Sequence, residues 1–254
     1  MYMTEPHVSM KAGFVDQWRG AISVANRLAP DFVVVGGDLV NARGNPAKRD
    51  MAATERMASA YLDATKALAP SIPFYNVPGN HDVGNTPTPE TYAWYEERFG
   101  KPWYSFEHKG SLFVVFDSNV LKNPQLLPGV AERQLAWLEG ALRGAPGRRY
   151  VHKIAFMHHP FCLKGLEEKE NYNILSPEMR SRLLALFKEH GVEAVFSGHY
   201  HKNARVEAKG IDFVTTTAVK RSIGGPPGFR IVKVTPDGIE HTFHSWDDAP
   251  EMLP

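Results

Sequence analysis

The stretch DFVVVGGD, residues 31–38, decides the fold of this 254-residue chain. Its β-branched apolar run predicts a strand that is buried on both faces, and two glycines end that strand directly before Asp38. The pattern therefore places a carboxylate at the carboxyl end of a strand, where open α/β sheets bind their ligands.

Four further apolar runs end in polar residues in the same way. They cover residues 72–77, 112–116, 154–157 and 192–196. Helical patterns lie around them at residues 17–28, 48–68, 130–142 and 177–189, the last with Ser176 as its N-cap. Strands that alternate with helices predict an α/β fold.

The C-terminal part of the chain changes character. Residues 213–218, 229–235 and 239–244 are strand-like, and Pro236-Asp237-Gly238 predicts a hairpin turn between the last two. An antiparallel section is therefore expected after the alternating units. No linker or repeat divides the chain, so we expect a single domain over residues 1–254.

Charge and composition exclude several classes of protein. The 29 basic and 28 acidic residues leave a net charge of +1, which creates no long-range attraction for nucleic acid or anionic membranes. The single cysteine, Cys162, excludes an internal disulfide and Cys-rich zinc modules. No run approaches the roughly 18 apolar residues of a membrane span, and residues 1–14 lack a secretory signal pattern. A cytoplasmic protein without nucleic-acid or membrane partners is expected.

Polar clusters follow four of the predicted strands. They read Gly36-Gly37-Asp38, Gly79-Asn80-His81-Asp82, His158-His159-Pro160 and Gly198-His199-Tyr200-His201. A carboxylate, an amide oxygen and several imidazoles suit manganese, iron, cobalt or zinc better than calcium or magnesium, which prefer oxygen ligands. The four clusters therefore predict one metal centre at the strand ends.

In this order along the chain, the four motifs resemble those of the calcineurin-like metallophosphoesterase superfamily. Residues 79–88 and 196–204 are more narrowly similar to the calcineurin-like phosphoesterase domain-containing proteins, a branch with protein serine/threonine phosphatase activity. The resemblance implies a four-layer αββα sandwich, in which two mixed β-sheets pack together and helices cover their outer faces.

The resemblance also implies two divalent or trivalent metal ions, manganese, iron or zinc. Asp38 would bridge the two ions. Asn80, His158 and His199 would complete the shell of one ion, and His201 would bind the other.

Two further roles are implied in the Gly79-Asn80-His81-Asp82 motif. His81 would be the cationic or proton-donating group near the leaving oxygen, and Asp82 would orient it through its other ring nitrogen. Asn80, His81, His159 and Tyr200 are candidates for substrate binding, and substrate choice is expected in loops such as residues 163–175.

One departure from the family stands at the start of the chain. The family opens with a strand that ends in Asp-x-His, or in this branch Asp-x-Gln, and no such strand and motif precede Asp38. The upstream candidates His7 and Asp16 follow no apolar run. We therefore expect that the first strand is missing and that Met1 is a miscalled start or a truncation. The alternative is a variant with one weak metal site or none.

Together these features predict a metal-dependent hydrolase of phosphomonoesters, acting by attack of a metal-bound hydroxide. Phosphoserine or phosphothreonine in proteins is the expected substrate class. Phosphodiester cleavage is the alternative within the same chemistry. A non-catalytic module that binds phosphate or a partner is the alternative outside it, because the first ligand pair is missing.

Overall fold

The computed structural model describes residues 1–42, 49–221 and 223–253. Its strands are β1 Tyr2–Met3, β2 Val33–Val35, β3 Phe74–Asn76, β4 Tyr104–His108, β5 Ser111–Val115, β6 Lys153–Phe156, β7 Ala194–Ser197, β8 Ala204–Ala208, β9 Ile211–Thr215, β10 Gly228–Thr235 and β11 Gly238–Ser245. Its helices are α1 Phe14–Leu28, α2 Met51–Thr65, α3 Asn80–Val83, α4 Pro89–Phe99, α5 Ser118–Lys122, α6 Val130–Arg143 and α7 Pro177–His190.

The strands form two mixed sheets. One sheet has five strands in the order β11-β10-β1-β2-β3, with β1, β2 and β3 parallel and the β10–β11 hairpin antiparallel. The other has six strands in the order β4-β5-β6-β7-β9-β8, in which the two edge strands are antiparallel to their neighbours. The parallel strands of each sheet bring their carboxyl ends, and the residues that follow them, to one edge.

Alternation along each strand builds the layers. In β2, Val33 and Val35 pack into a core with Trp18 and Ile22 of α1, whereas Val34 belongs to a separate core between the two sheets. Because successive side chains of a strand point to opposite faces, one sheet can contact helices on one side and the other sheet on its reverse.

The six-stranded sheet repeats this arrangement. Val114 and Ala155 pack with Leu138 of α6 and Phe187 of α7, while Phe113 faces the core between the sheets. The predicted layers of two mixed sheets with helices on their outer faces are therefore confirmed.

Most of the predicted elements are present, with shifted ends. The predicted helix at residues 48–68 corresponds to α2, although Lys48 itself lies outside the described residues. The Ser176 hydroxyl caps α7 by accepting a hydrogen bond from the Met179 amide, as expected. The strand predicted at residues 213–218 corresponds to β9, but it is not purely antiparallel as expected. It pairs in parallel with β7 and antiparallel with β8.

The expectation that the first strand is missing is wrong. Tyr2 and Met3 form β1 between β10 and β2, and both side chains are buried. Two apolar residues are too few to show the period-2 alternation of a strand, so pairing with the neighbouring strands, rather than local pattern, creates this element.

Within the described residues, the helices lack the length and apolar character that crossing a bilayer requires.

Candidate metal centre

One group of side chains gathers around the end of β1. The Glu5 Oε2 atom lies 3.0 Å from the Nε2 atoms of both His7 and His201. His7 Nε2 lies 3.3 Å from His201 Nε2 and 3.4 Å from Asp38 Oδ2. We call these four residues, Glu5, His7, Asp38 and His201, the Glu5 group. Their ligand atoms are close enough together to hold one metal ion.

A second group gathers beside the first and is more deeply buried. His158 Nε2 lies 3.0 Å from Asn80 Oδ1, 3.1 Å from His199 Nδ1 and 3.4 Å from Asp38 Oδ1. We call Asp38, Asn80, His158 and His199 the His158 group. Asp38, His158 and His199 of this group have ligand atoms close enough together to hold an ion, and the Asn80 oxygen adds an amide ligand.

Asp38 joins the two groups, because its Oδ2 faces His7 while its Oδ1 faces His158. Ligand atoms about 2.1 Å from an ion lie roughly 3.0 to 3.4 Å apart in octahedral or tetrahedral geometry. The separations in both groups fall in this range. The donor set of carboxylate, amide and imidazole therefore fits two divalent cations that share one carboxylate.

The charges of the site also favour cations. Burial opposes a positive charge on His158, but the Asp38 and Glu5 carboxylates outweigh burial and raise the pKa of this imidazole. Burial would also lower the pKa of His201, but its hydrogen bond to the Glu5 carboxylate raises this pKa above the usual value. Burial would raise the pKa of Glu5, yet the surrounding histidines hold it well below its usual value.

The imidazole of His158 is held in one orientation by its second nitrogen. Its Nδ1 lies 2.8 Å from the carbonyl oxygen of Gly36, an acceptor, so Nδ1 carries the hydrogen. In the neutral ring Nε2 then carries the lone pair, and it lies beside two other candidate ligand atoms, Asn80 Oδ1 and His199 Nδ1. Fixing a ring through its outer nitrogen is a common way to orient a metal ligand.

Backbone pairing beyond β1 places Glu5 and His7. The amides of Glu5 and His7 donate to the carbonyl oxygens of Gly37 and Asp38, and the Val8 amide donates to that of Leu39. The chain after β1 therefore runs alongside the chain after β2. This pairing brings the Glu5 carboxylate beside the Asp38 carboxylate.

Strained backbone is concentrated in the site. Among described residues other than glycine, positive φ angles occur at eight positions, and five of them are Glu5, His7, Asp38, His199 and His201. Such conformations cost about 1 to 3 kcal/mol each and persist where surrounding structure enforces them. Here the strained backbone directs the side chains of five residues in the two groups.

Two motif glycines leave room for these side chains. A Cβ atom on Gly37, where φ is +97°, would lie 2.4 Å from His158 Nδ1. A Cβ atom on Gly198 would lie 2.0 Å from the Thr4 hydroxyl and 2.5 Å from Glu5 Oε1. Each glycine therefore permits the close approach of a different group.

The predicted pairing of Asp82 with His81 is not present. The Asp82 carboxylate accepts hydrogen bonds from the backbone amides of Gly79, Leu39 and Val40, and burial together with Asp38 raises its pKa to about 7. Among the described residues, His81 Nδ1 has no hydrogen-bond partner. The short turn after Gly79 directs Asp82 towards the loop after β2, so it joins two ligand-bearing loops instead of orienting His81.

His81 itself lies at the edge of the Glu5 group. Its ring packs edge-on against His7 at 4.6 Å between centroids, and its Nε2 lies 3.9 Å from Asp38 Oδ2. Burial lowers its pKa to about 4. The side chain thus borders both carboxylate and imidazole ligands while supplying no atom to either group.

The two other substrate-binding candidates lie elsewhere. His159 is buried behind His199, with ring centroids 4.3 Å apart, and its Nδ1 pairs with the Ser118 hydroxyl at 2.9 Å. The half-buried ring of Tyr200 lies under the Lys202 ammonium. In the described part of the chain, no hydrogen bond or ring contact joins Tyr200 to the ligand groups. His159 is therefore enclosed by protein atoms, and a substrate contact by either residue stays a prediction.

Sequence reasoning missed three residues of the site, Glu5, Asn85 and Tyr172, and set a fourth, His7, aside as an upstream candidate. Glu5 and His7 follow a two-residue strand, and only the Glu-x-His spacing resembles the family's Asp-x-His. Asn85 accepts a hydrogen bond from Asn80 Nδ2 at 3.0 Å, which turns the amide oxygen of Asn80 towards His158. Tyr172 lies against His199 from the loop at residues 163–175, for which no periodic signal exists.

A cavity of about 430 Å³ lies at the opposite, amino-terminal ends of the strands. Its lining includes Phe32, Phe113, Ile154 and Val232, and no residue of either ligand group belongs to it. The chemistry-bearing side chains and this apolar cavity therefore occupy different ends of the sandwich.

Similarity to known proteins agrees with this geometry. The human serine/threonine-protein phosphatase CPPED1 is 36% identical over 236 residues, covering 91% of this chain and 73% of that protein. The Bos taurus protein of the same name is 34% identical over 247 residues, covering 93% and 77%. A crystal structure of a dimetal phosphatase from Danio rerio superposes with a TM-score of 0.71 at 16% identity, covering 95% and 94%, which concerns the fold alone.

The family model described as calcineurin-like phosphoesterase matches residues 11–203. This range contains Asp38, Asn80, His158, His199 and His201, and it begins after Glu5 and His7. The resemblance drawn from the four motifs is thereby confirmed. The chain belongs to the calcineurin-like phosphoesterase family and is a hydrolase of phosphoric esters.

Proposed function

We propose that this phosphoesterase hydrolyses phosphomonoesters, with phosphoserine and phosphothreonine in proteins as its substrate class, and that it uses two metal ions. The observation that carries the proposal is the division of Asp38 between the two ligand groups, one carboxylate oxygen facing each. Manganese, iron and zinc are the ions that suit a mixed set of carboxylate, amide and imidazole ligands.

The ligand roles follow from the two groups. Glu5, His7 and His201 would hold one ion, Asn80, His158 and His199 the other, with Asp38 shared. Two bound ions would lower the pKa of a water molecule, clamp the phosphoryl oxygens and offset charge on the leaving oxygen. The protein's part is to keep the ligand atoms in place. The strained backbone directs several ligand side chains, and the Gly36 carbonyl orients the His158 ring.

His81 is the side chain best placed to act on the substrate itself. It borders Asp38 and His7 without belonging to the ligand groups, and 17% of its side chain is exposed to solvent. From there its Nε2 can hydrogen-bond a phosphoryl or leaving-group oxygen. We assign it this contact, while Asp82 keeps the two loops together.

A non-catalytic binding module is the alternative that a missing ligand pair would favour. Glu5 and His7 occupy the place where that pair was sought, so the ground for this alternative is removed. The protein substrate class rests on the relatives, since several proteins about 35% identical to this chain are named serine/threonine-protein phosphatases.

The test compares three substrates after metal has been stripped with a chelator. The stripped chain, reloaded with Mn²⁺, Fe²⁺ or Zn²⁺, is assayed on p-nitrophenyl phosphate, bis(p-nitrophenyl) phosphate and a phosphoserine peptide. The proposal predicts turnover that returns with metal and favours the monoester and the peptide. A strong preference for the diester would contradict the monoesterase assignment, and turnover that is independent of metal would contradict the proposed chemistry.

A further inference from the structure

The loop at residues 163–175 is held firmly, although it has no regular secondary structure. The Lys122 ammonium, on a side chain that is 9% exposed, donates to the carbonyl oxygens of Asn171 at 2.9 Å and Ile174 at 2.6 Å. The two carbonyls lie on either side of Tyr172. Lys122 therefore clamps the turn that carries this tyrosine.

The other half of the loop is closed by a second set of charged side chains. Glu168 accepts hydrogen bonds from the amides of Leu163 and Lys164, and buried Arg180 donates to the carbonyl oxygens of Leu166 and Glu168. Hydrogen bonds to charged groups are stronger than those between neutral groups. Lys122 of α5 and Arg180 of α7 thus hold the loop at two places along its length.

Tyr172 stands out because it is a large aromatic side chain left 60% exposed on this fixed loop. Its ring lies 4.9 Å from the ring of His199, and its hydroxyl oxygen accepts a hydrogen bond from Asn80 Nδ2 at 3.4 Å. Because the hydroxyl acts as acceptor there, its own hydrogen remains available for donation. No acceptor among the described residues takes this hydrogen, so a donor is available directly beside two residues of the His158 group.

We propose that Tyr172 is a substrate-binding residue, whose hydroxyl donates to a non-bridging phosphoryl oxygen while its exposed ring packs against the leaving group. This inference rests on the proposed function of the same site. The hydrogen bonds from Lys122 support it, since a loop whose backbone is already held loses little conformational entropy when substrate binds. The substrate class is a phosphomonoester whose leaving group has an apolar face, such as an aryl group or a peptide segment.

The inference is tested with Tyr172→Phe, which keeps the ring and removes the donor. The matched control is Tyr150→Phe, which removes a hydroxyl that bonds Glu107 and belongs to neither ligand group. Binding of inorganic phosphate to the Mn²⁺-loaded full chain is measured by calorimetry, together with metal content and steady-state kinetics. Loss of one hydrogen bond to a charged oxygen should weaken phosphate binding about 10-fold.

The expected pattern is specific to substrate contact. Tyr172→Phe should keep the wild-type metal content, raise KM about 10-fold and leave kcat nearly unchanged, because the lost contact acts equally on substrate and transition state. Tyr172→Leu should raise KM further for p-nitrophenyl phosphate than for glycerol phosphate, since it also removes the aromatic ring. Tyr150→Phe should match the wild type.

Phosphate affinity equal to wild type in Tyr172→Phe would overturn the inference. Loss of metal in that variant would overturn it as well, because the tyrosine would then act only by supporting Asn80. If the wild-type chain hydrolyses no ester but the variant still binds phosphate about 10-fold more weakly, the proposed function fails and the inference on Tyr172 stands.

Discussion

The two ligand groups share Asp38 but are built in different ways. The His158 group takes its other members from glycine-containing or proline-containing motifs after well-formed strands, and all of its side chains are buried. The Glu5 group depends on the two-residue strand β1, on a glutamate where the family has aspartate, and on His201, which is 28% exposed. The sequence motifs therefore reveal all of the His158 group but only Asp38 and His201 of the Glu5 group, because Glu5 and His7 follow a strand that tertiary pairing creates.

The largest expected effect comes from removing what the groups share. Asp38→Ala deletes a ligand from both groups, so the chain should retain less than one ion and lose its phosphatase activity. Metal content after dialysis and p-nitrophenyl phosphate hydrolysis measure the outcome, with the exposed Asp31→Ala as control. A variant that still holds both ions would show that the two groups do not depend on a common carboxylate.

His81 distinguishes metal binding from chemistry. His81→Ala should lower kcat by roughly 10²-fold to 10⁴-fold, the range for a lost acid or base, while both ions stay bound. Kinetics and metal analysis on the same preparation provide the two readouts. Should the variant lose metal, His81 would have to be counted as a ligand and the membership of the Glu5 group revised.

Two glycines allow each group to be disturbed alone. A Cβ atom at Gly198 crowds Glu5, whereas one at Gly37 crowds His158 and also meets a strained positive φ. Each alanine variant should lower the affinity for one of the two ions about 10-fold to 100-fold, the usual cost of a misplaced ligand. Stepwise metal titration resolves the two ions.

The control for both variants is Gly20→Ala in α1. Apart from its chain neighbours and the backbone of its own helix, a Cβ atom added at this glycine would meet no atom of the described residues within 4 Å, so the variant should bind metal normally. If Gly37→Ala and Gly198→Ala each lower the affinity for both ions equally, the two ligand groups are not separable.

The smallest effect is expected at Asn85, which contributes no ligand. Asn85→Ala removes the acceptor that orients the Asn80 amide, so the affinity of the His158 group should fall about 10-fold and that of the Glu5 group should not change. Asn85→Asp keeps an acceptor for Asn80 Nδ2 and should restore most of the affinity. Metal titration of the two variants side by side tests this orientation role. A wild-type metal affinity in Asn85→Ala would exclude it.

The contrast between the groups also explains what could be predicted from sequence. The layers and the His158 group follow from apolar runs such as residues 31–38, each long enough to identify a strand, with polar residues directly after it. Tyr2 and Met3 offer no such run. Their strand exists because β10 and β2 provide partners on both sides, and those partners are distant in sequence.

Side-chain partners are less predictable than positions. Adjacent residues in a motif invite the assumption that they act together, as the motif suggests for Asp82 and His81. In the structure, the turn after Gly79 sends the Asp82 carboxylate to the amides of Leu39 and Val40, so its partners come from another loop. The position of Tyr172 could not be predicted for a related reason. Its loop has no regular secondary structure and is held by Lys122, which lies about 50 residues away in the sequence.

The most direct test of the account is the number of ions bound by the wild-type chain and by Glu5→Gln, which keeps the shape of the side chain and removes its charge. Glu193→Gln is the matched control, because Glu193 also contacts a buried histidine, His152, away from both groups. After equilibrium dialysis against Mn²⁺, we expect two ions per chain for the wild type and the control, and one for Glu5→Gln. A wild-type chain that binds a single ion, with Glu5→Gln unchanged, would contradict the account.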